Sequence, residues 1–467
     1  MKRMRAARVG VATLALALLT SACAGERSGT DGQAASGATE ASSGESFGTL
    51  ASPCGKGDAK GATDQGVTND SIAIGYGDDR GFATIPGLNA EMGDAVKAMI
   101  DWCNGQGGIN GRKIVGHQYD AAYTQAASVM QQACTQDFML VGQGFAYDEA
   151  AEPVRVGCNL PTVAGFTVGP NSSMGPMKFE PLPYPVDKYN SAPLQLAAKE
   201  FPEFKSDMSL IASSSPPVLQ GTAKVTNVLK EMGIQPKDCG VLLSAQGDAS
   251  YVPFAEKFKE CGVKALFTSA SPTPGQLSLL ESISRIGLKP TLMYEATWYG
   301  KTVSDWNATS GAGDNMHVGL AFQPFENADK VPAVKKYLDI VGGAGGKTAL
   351  LGMQATSAFL LWATVAKDCG SDLSRQCMVD GLSKVTKWDG GGLHGVSDPG
   401  ENLPTDCALL VQLKGAKWAQ TVPDKAGEFT CNEKWVVDTD PATAGVTLNA
   451  DRVSTKFLTD KVIKPSS

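Results

Sequence analysis

The chain has 467 residues, 42% of them hydrophobic and 19% charged, with a formal net charge of −7. That length accommodates more than one domain, and the composition is ordinary for a globular protein. The acidic balance argues against nucleic acid or an anionic membrane face as partner.

Lys2, Arg3, Arg5 and Arg8 precede an uncharged apolar run over 9–19, and Thr20, Ser21 and Ala22 then lead to Cys23. Basic, apolar and small segments in that order build a secretory signal. The run of about 11 residues is too short for a helix that needs ~20 to cross a bilayer core. A cleaved signal over 1–22 is therefore expected. Leu19-Thr20-Ser21-Ala22-Cys23 resembles a bacterial lipobox, which implies a lipid on the Cys23 thiol; an ordinary cut near Ala22-Cys23-Ala24 is the alternative. Residues 23–65, rich in Gly, Ser, Ala and Thr through 52, are expected to form a flexible tether.

From residue 71 strand and helix patterns alternate. Strands are expected over 72–75, 114–119, 138–142 and 161–166. Met92, Ala95, Val96, Met99, Ile100 and Cys103 fall at helical spacings of three and four. Further helices are expected over 124–134 and 149–156. After an irregular Pro-rich stretch at 169–193 the alternation restarts. Strands are expected over 208–212, 241–244, 265–268 and 291–293, and helices over 220–232, 252–261 and 276–286. A crossing strand over 317–322, helices over 331–341 and 348–367, and a hairpin over 409–422 complete the pattern. The stretch 350–366 is the most apolar after the signal, but Gln354, Thr356, Ser357 and Thr364 interrupt it, so a buried helix is expected. Such alternation predicts α/β architecture with parallel sheets covered on both faces.

Gly66-Val67-Thr68-Asn69-Asp70-Ser71-Ile72-Ala73-Ile74-Gly75, the NGQGGINGRK stretch at 104–113, and Tyr119-Asp120 resemble the leucine/isoleucine/valine-binding group of type I periplasmic binding proteins. The resemblance implies two Rossmann-like lobes joined by a three-segment hinge that closes on a solute. The expected divisions are 66–183 for the first part of lobe 1, 184–316 for lobe 2, 317–400 for a return to the hinge and lobe 1, and 401–467 for a hairpin and tail on lobe 2 or the hinge. It also implies a small-molecule solute and an ABC permease with its ATPase subunits as partners; with the signal and the membrane tether through Cys23, a monomer working outside the cytoplasm is expected. A ligand-sensing module serving a separate signalling partner and a lipoprotein hydrolase are the alternatives.

Ligands in such sheets sit beyond the carboxyl ends of strands. The loops there offer Arg80, Phe82, Gln143, Phe145, Tyr147, Phe166 and Thr167 in the first lobe, and Ser214, Gln246, Ser271, Glu295, Trp298 and Tyr299 in the second. Arg80 is the candidate for a carboxylate, through its forked donors, and Glu295 for an ammonium. Asp148 and Glu149 suit the start of a helix. Amino-acid binders of the group place hydroxyls after strands three and four, where this chain has Ala146 and Thr167 or Val168. The expected solute is therefore an amino acid, an amide, or an aromatic or hydrophobic acid.

No cofactor, metal site or catalytic set is expected. His117, His317 and His394 are scattered, and the Gly-rich run 342–348 lacks both the first glycine and the strand of a phosphate loop. Of eleven cysteines, setting Cys23 aside leaves an even ten in an exported chain, which favours disulfides. Position in the expected elements pairs Cys239 with Cys261, Cys134 with Cys158, Cys369 with Cys377 and Cys407 with Cys431, leaving Cys54 with Cys103.

Overall fold

The computed structural model describes residues 44–466. The signal, Cys23 and the first part of the tether lie outside these residues.

The first lobe is built on β1 (Ser71–Asp78), β2 (Lys113–Asp120), β3 (Met139–Val141), β4 (Thr162–Val163) and β5 (Lys178–Phe179). They form one sheet in the order β2-β1-β3-β4-β5, parallel throughout. Helix Ala90–Gln106 buries the stripe the sequence marks, Met92 to Cys103, against helix Leu350–Cys369. Gly107 and Gly108 close it by donating to the carbonyls of Asn104 and Cys103. Gly108 has φ +80°, and a Cβ there would stand 1.9 Å from the Arg112 carbonyl oxygen, so only glycine fits. Helix Leu350–Cys369 is buried on nearly every side, including Thr356 and Ser357. Among the described residues no helix is long and apolar enough to cross a membrane.

The second lobe begins after β6 (Lys188–Asn190). Its sheet contains β7 (Met208–Leu210), β10 (Ala265–Thr268), β11 (Thr291–Tyr294) and β12 (Met316–Leu320) in parallel, while β8 (Ala212–Ser213) and β9 (Leu242–Leu243) pair separately at its edge. The hairpin β13 (Cys407–Lys414) and β14 (Lys417–Val422) adds antiparallel strands beside β12. One face is covered by helices Ala192–Glu200 and Pro216–Glu231, the other by Val252–Glu260, Pro274–Arg285 and Lys301–Ser310.

Up to β13 three segments pass between the lobes, at 180–191, 321–325 and 394–406. The crossing strand expected at 317–322 is β12 itself, a full member of the second sheet, so the return to lobe 1 starts only at Phe322, which joins the first core. The tail does not stay on lobe 2. β15 (Thr430–Cys431) pairs with β13, and β16 (Val436–Asp438) pairs with β6. The chain then runs back onto the first lobe, where Ser454 Oγ donates to Asn171 at 2.7 Å, the Ile463 N–H donates to Asn159 at 3.0 Å, and Val462 is buried in the first core.

The expected tether over 23–65 is also shortened. Phe47 is fully buried with its ring against Trp102, and the Thr49 N–H donates to the Gly391 carbonyl. A Cys54–Cys103 disulfide fastens this segment to helix Ala90–Gln106. Apolar Phe47 and the two cysteines give 44–65 enough buried contact to order it. The other four disulfides are Cys134–Cys158, Cys239–Cys261, Cys369–Cys377 and Cys407–Cys431, the pairs expected from the sequence.

Candidate solute-binding cleft

The loops after β1, β2 and β3 are tied together by two buried carboxylates. Asp78 accepts the Arg80 backbone N–H at 3.0 Å, the guanidinium Nε at 2.9 Å and Nη2 at 2.7 Å. The same guanidinium pairs with Asp94 at 3.0 Å and donates to the Ala90 carbonyl. Burial pushes the Asp78 carboxyl upward while Arg80 pulls it down, and the two acids hold Arg80 above the usual arginine range. The sequence offered Arg80 as the hook for a solute carboxylate; its Nε and Nη2 are engaged in bracing the loop, while the side chain stays 35% exposed.

Asp79, fully buried, accepts the N–H of Tyr123 at 2.7 Å and of Ala146 at 2.6 Å. It thereby pins the loop after β2 to the loop after β3. Tyr123 and Ala122 both take positive φ, 69° and 41°. Above this base three rings stack. Phe82 lies 4.7 Å from Tyr123 with planes 19° apart, and Tyr123 lies 6.2 Å from Tyr147 at 12°. Tyr123 is 38% exposed and Tyr147 53%. Sequence reasoning named Phe82 and Tyr147 but missed Tyr123, although it follows β2 by three residues and the strand-end rule applies to it equally.

Gln143, Phe145, Phe166 and Thr167 converge on one small cavity inside lobe 1, with Asp148, Thr162, Ser172 and Lys178. Its volume of about 30 Å³ holds one or two waters, not a solute. Gln143 Nε2 donates to Thr162 Oγ1 at 2.6 Å, and Thr167 Oγ1 donates to Glu180, which pairs with buried Lys178 at 3.0 Å. Gln143 Oε1 has no partner among the described residues. Asp148 accepts the N–H groups of Val168 and Gly169, and burial pushes its carboxyl up to about 6. These residues support the loops from beneath, and Phe145 in particular is core.

In the second lobe Trp298 is 1% exposed, donates its indole N–H to the Ala270 carbonyl at 2.7 Å and packs on Tyr294. Tyr299 donates to Glu326 at 2.6 Å and packs on Trp418 and Phe325. Both rings belong to the core. Ser214 is exposed, and its Oγ accepts the Ala245 N–H, tying two strand-end loops. Gln246 and Ser271 are exposed.

Glu295, at the end of β11, is only partly buried, and none of the hydrogen bonds or ion pairs among the described residues involves its carboxyl group. Burial raises that carboxyl to about 8, with Lys224 the one charge opposing the rise. Lys224 projects from helix Pro216–Glu231 to the crossing segment, donating to the Pro185 carbonyl at 3.1 Å. Its ammonium stands 4.6 Å from the Tyr184 ring and 5.4 Å from Tyr189. Burial lowers Lys224 to about 8, with Glu295 opposing. An acid and an amine near the hinge thus influence each other's charge with no ion pair between them among the described residues.

Two α/β lobes joined by crossing segments, with loops gathered at the strand ends, are the architecture in which open sheets hold small ligands. A model of the periplasmic binding proteins matches residues 77–417, and the chain belongs to that family, with the type I fold. An ABC transporter substrate-binding protein from Sphaerobacter thermophilus superposes with a TM-score of 0.63 at 14% identity, covering 78% of this chain and 98% of its own. A solute-binding protein of an R. palustris ABC transporter, solved with 4-hydroxybenzoate, gives 0.61 at 14%, covering 78% and 98%. The branched-chain amino acid transporter substrate-binding protein of Streptococcus pneumoniae, solved with isoleucine, gives 0.59 at 16%, covering 79% and 100%. No curated protein matches the sequence.

Proposed function

We propose that this chain is the extracytoplasmic solute-binding lipoprotein of an ABC importer. A lipid on Cys23 holds it at the cell membrane, the lobes close on one small molecule, and a permease driven by ATPase subunits receives it. The solute is an amino acid, an amide, or an aromatic or hydrophobic acid, and it leaves unaltered. The observation that carries this reading is the Glu295 carboxyl at the end of β11, which has no hydrogen-bond or ion-pair partner among the described residues and is influenced by Lys224, the amine that reaches the crossing segment. A polar group left without a partner in a cleft is matched by ligand. Neighbours solved with 4-hydroxybenzoate and with isoleucine support that solute range.

Calorimetric titration of the mature chain and of Glu295→Gln tests it. Saturable one-to-one binding, weakened about tenfold or more by the substitution for solutes bearing an amino group, is expected. Equal affinity in both would remove Glu295 from the site, and chemical conversion of the bound compound would make the protein an enzyme. For the anchor, Cys23→Ser is expected to move the chain out of the membrane fraction; retention there would rule out the lipid.

A further inference from the structure

We propose that the solute carries a planar aromatic ring, which docks on the open face of Tyr147 and extends the Phe82–Tyr123–Tyr147 stack. This rests on the cleft reading and narrows it to one class of solute.

The three rings come from three different loops, after β1, β2 and β3. The chain steps outward from β1 to β2 and returns past β1 to β3. That reversal of strand order is where open α/β sheets bind ligands. The rings are held parallel, within 19° and 12°, and the framework beneath them is costly. Tyr123 takes a left-handed backbone that a side chain disfavours. The buried Asp79 carboxylate is committed to the N–H groups of Tyr123 and Ala146, on the two loops that carry the outer tyrosine and the central one. Yet the product is not a core. Tyr147 keeps 53% of its surface open although one face lies against Tyr123. A strained, buried support that presents flat rings to solvent is built to meet something flat.

Shape decides the class. A planar ring meets an exposed ring face over its whole area in the offset-stacked arrangement that aromatic pairs prefer. A puckered or branched aliphatic group of the same size touches the face at a few atoms.

The test uses the mature chain and matched probe pairs: benzoate with cyclohexanecarboxylate, benzamide with cyclohexanecarboxamide, and phenylalanine with cyclohexylalanine. For at least one pair the aromatic member is expected to bind about tenfold tighter than its saturated twin. Tyr147→Leu, which keeps apolar bulk, abolishes that preference; Tyr147→Phe keeps it, and Tyr123→Ala weakens it. Equal affinity within every pair, a preference that survives Tyr147→Leu, or no binding by any aromatic probe overturns the proposal. Saturated probes that bind, and lose affinity in Glu295→Gln, would leave solute capture standing while the ring stack falls.

Discussion

The buried carboxylate of Asp79 accepts the backbone N–H of Tyr123 at 2.7 Å and so fixes the backbone beneath a ring that stays 38% exposed. The same carboxylate holds Ala146, two residues from the start of the short helix Asp148–Ala150. One side chain therefore sets the relation between the loops after β2 and β3.

Replacing Asp79 by alanine leaves both N–H groups without their acceptor. A loss of about 2 kcal/mol is expected from the cost of unmade hydrogen bonds. Urea denaturation checks this, and a change below about 0.5 kcal/mol would mean that the loops are held by other contacts.

Glu295 and Lys224 give the stability an unusual pH profile. The folded chain keeps the Glu295 proton to about pH 8, whereas an ordinary glutamate carboxyl releases it near 4.5. Between these values the folded state binds more protons than the unfolded, so stability falls as pH rises. Lys224 loses its proton near 8 when folded, against 10.5 for an ordinary lysine. Between 8 and 10.5 the unfolded state binds more protons, so stability rises again with pH. These two groups contribute a minimum near pH 8. Glu295→Gln should remove the falling arm, raising the Tm at pH 8 by about 2 °C or more relative to pH 4.5. Lys224→Met should remove the rising arm. Melting curves at pH 4.5, 8 and 10 check both, and parallel profiles for variant and wild type would contradict the assignment.

The tail is a structural part of lobe 1. Ending the chain at Val453 removes Ser454, Val462 and Ile463, and with them the contacts to Asn171, Asn159 and the first core. Burial of Val462 together with these bonds predicts a loss of about 2–3 kcal/mol. Chemical denaturation of the truncated chain measures it, and unchanged stability would show the tail to be an ornament of the surface.

Much of the architecture is legible in the sequence because apolar spacing is a backbone-level signal. Met92 to Cys103 announces its helix, and the short apolar runs at 265–268 and 291–293 announce β10 and β11. The elements that escape notice lack that signal. Helix Lys301–Ser310 buries only Val303, Ser304 and Asn307, and helix Ala192–Glu200 has Pro193 as its second residue, at the end of a Pro-rich stretch. The site was legible only by loop. Strand ends identify which loops face the cleft, but not how a ring turns within them. Phe145, Trp298 and Tyr299 turn inward, while Tyr147 turns out. Arg80 is captured by Asp78 two residues before it and by Asp94 on the next helix, a convergence that depends on the loop's path. Tyr123 carries no hydrophobic pattern of its own; the strand-end rule covers its loop, and the bond to Asp79 shows how its backbone is fixed there.

Solute capture is the centre of this account, and thermal melting of the mature chain against a panel of amino acids, aromatic acids, amides and short fatty acids tests it most directly. A ligand that binds only the folded state raises the Tm in proportion to the logarithm of its excess over Kd, by about 2.7 kcal/mol of stability at a hundredfold excess. The account predicts a saturable upward shift of that kind for at least one compound, lost in Glu295→Gln if the compound bears an amino group. A panel that leaves the Tm unmoved throughout would contradict it.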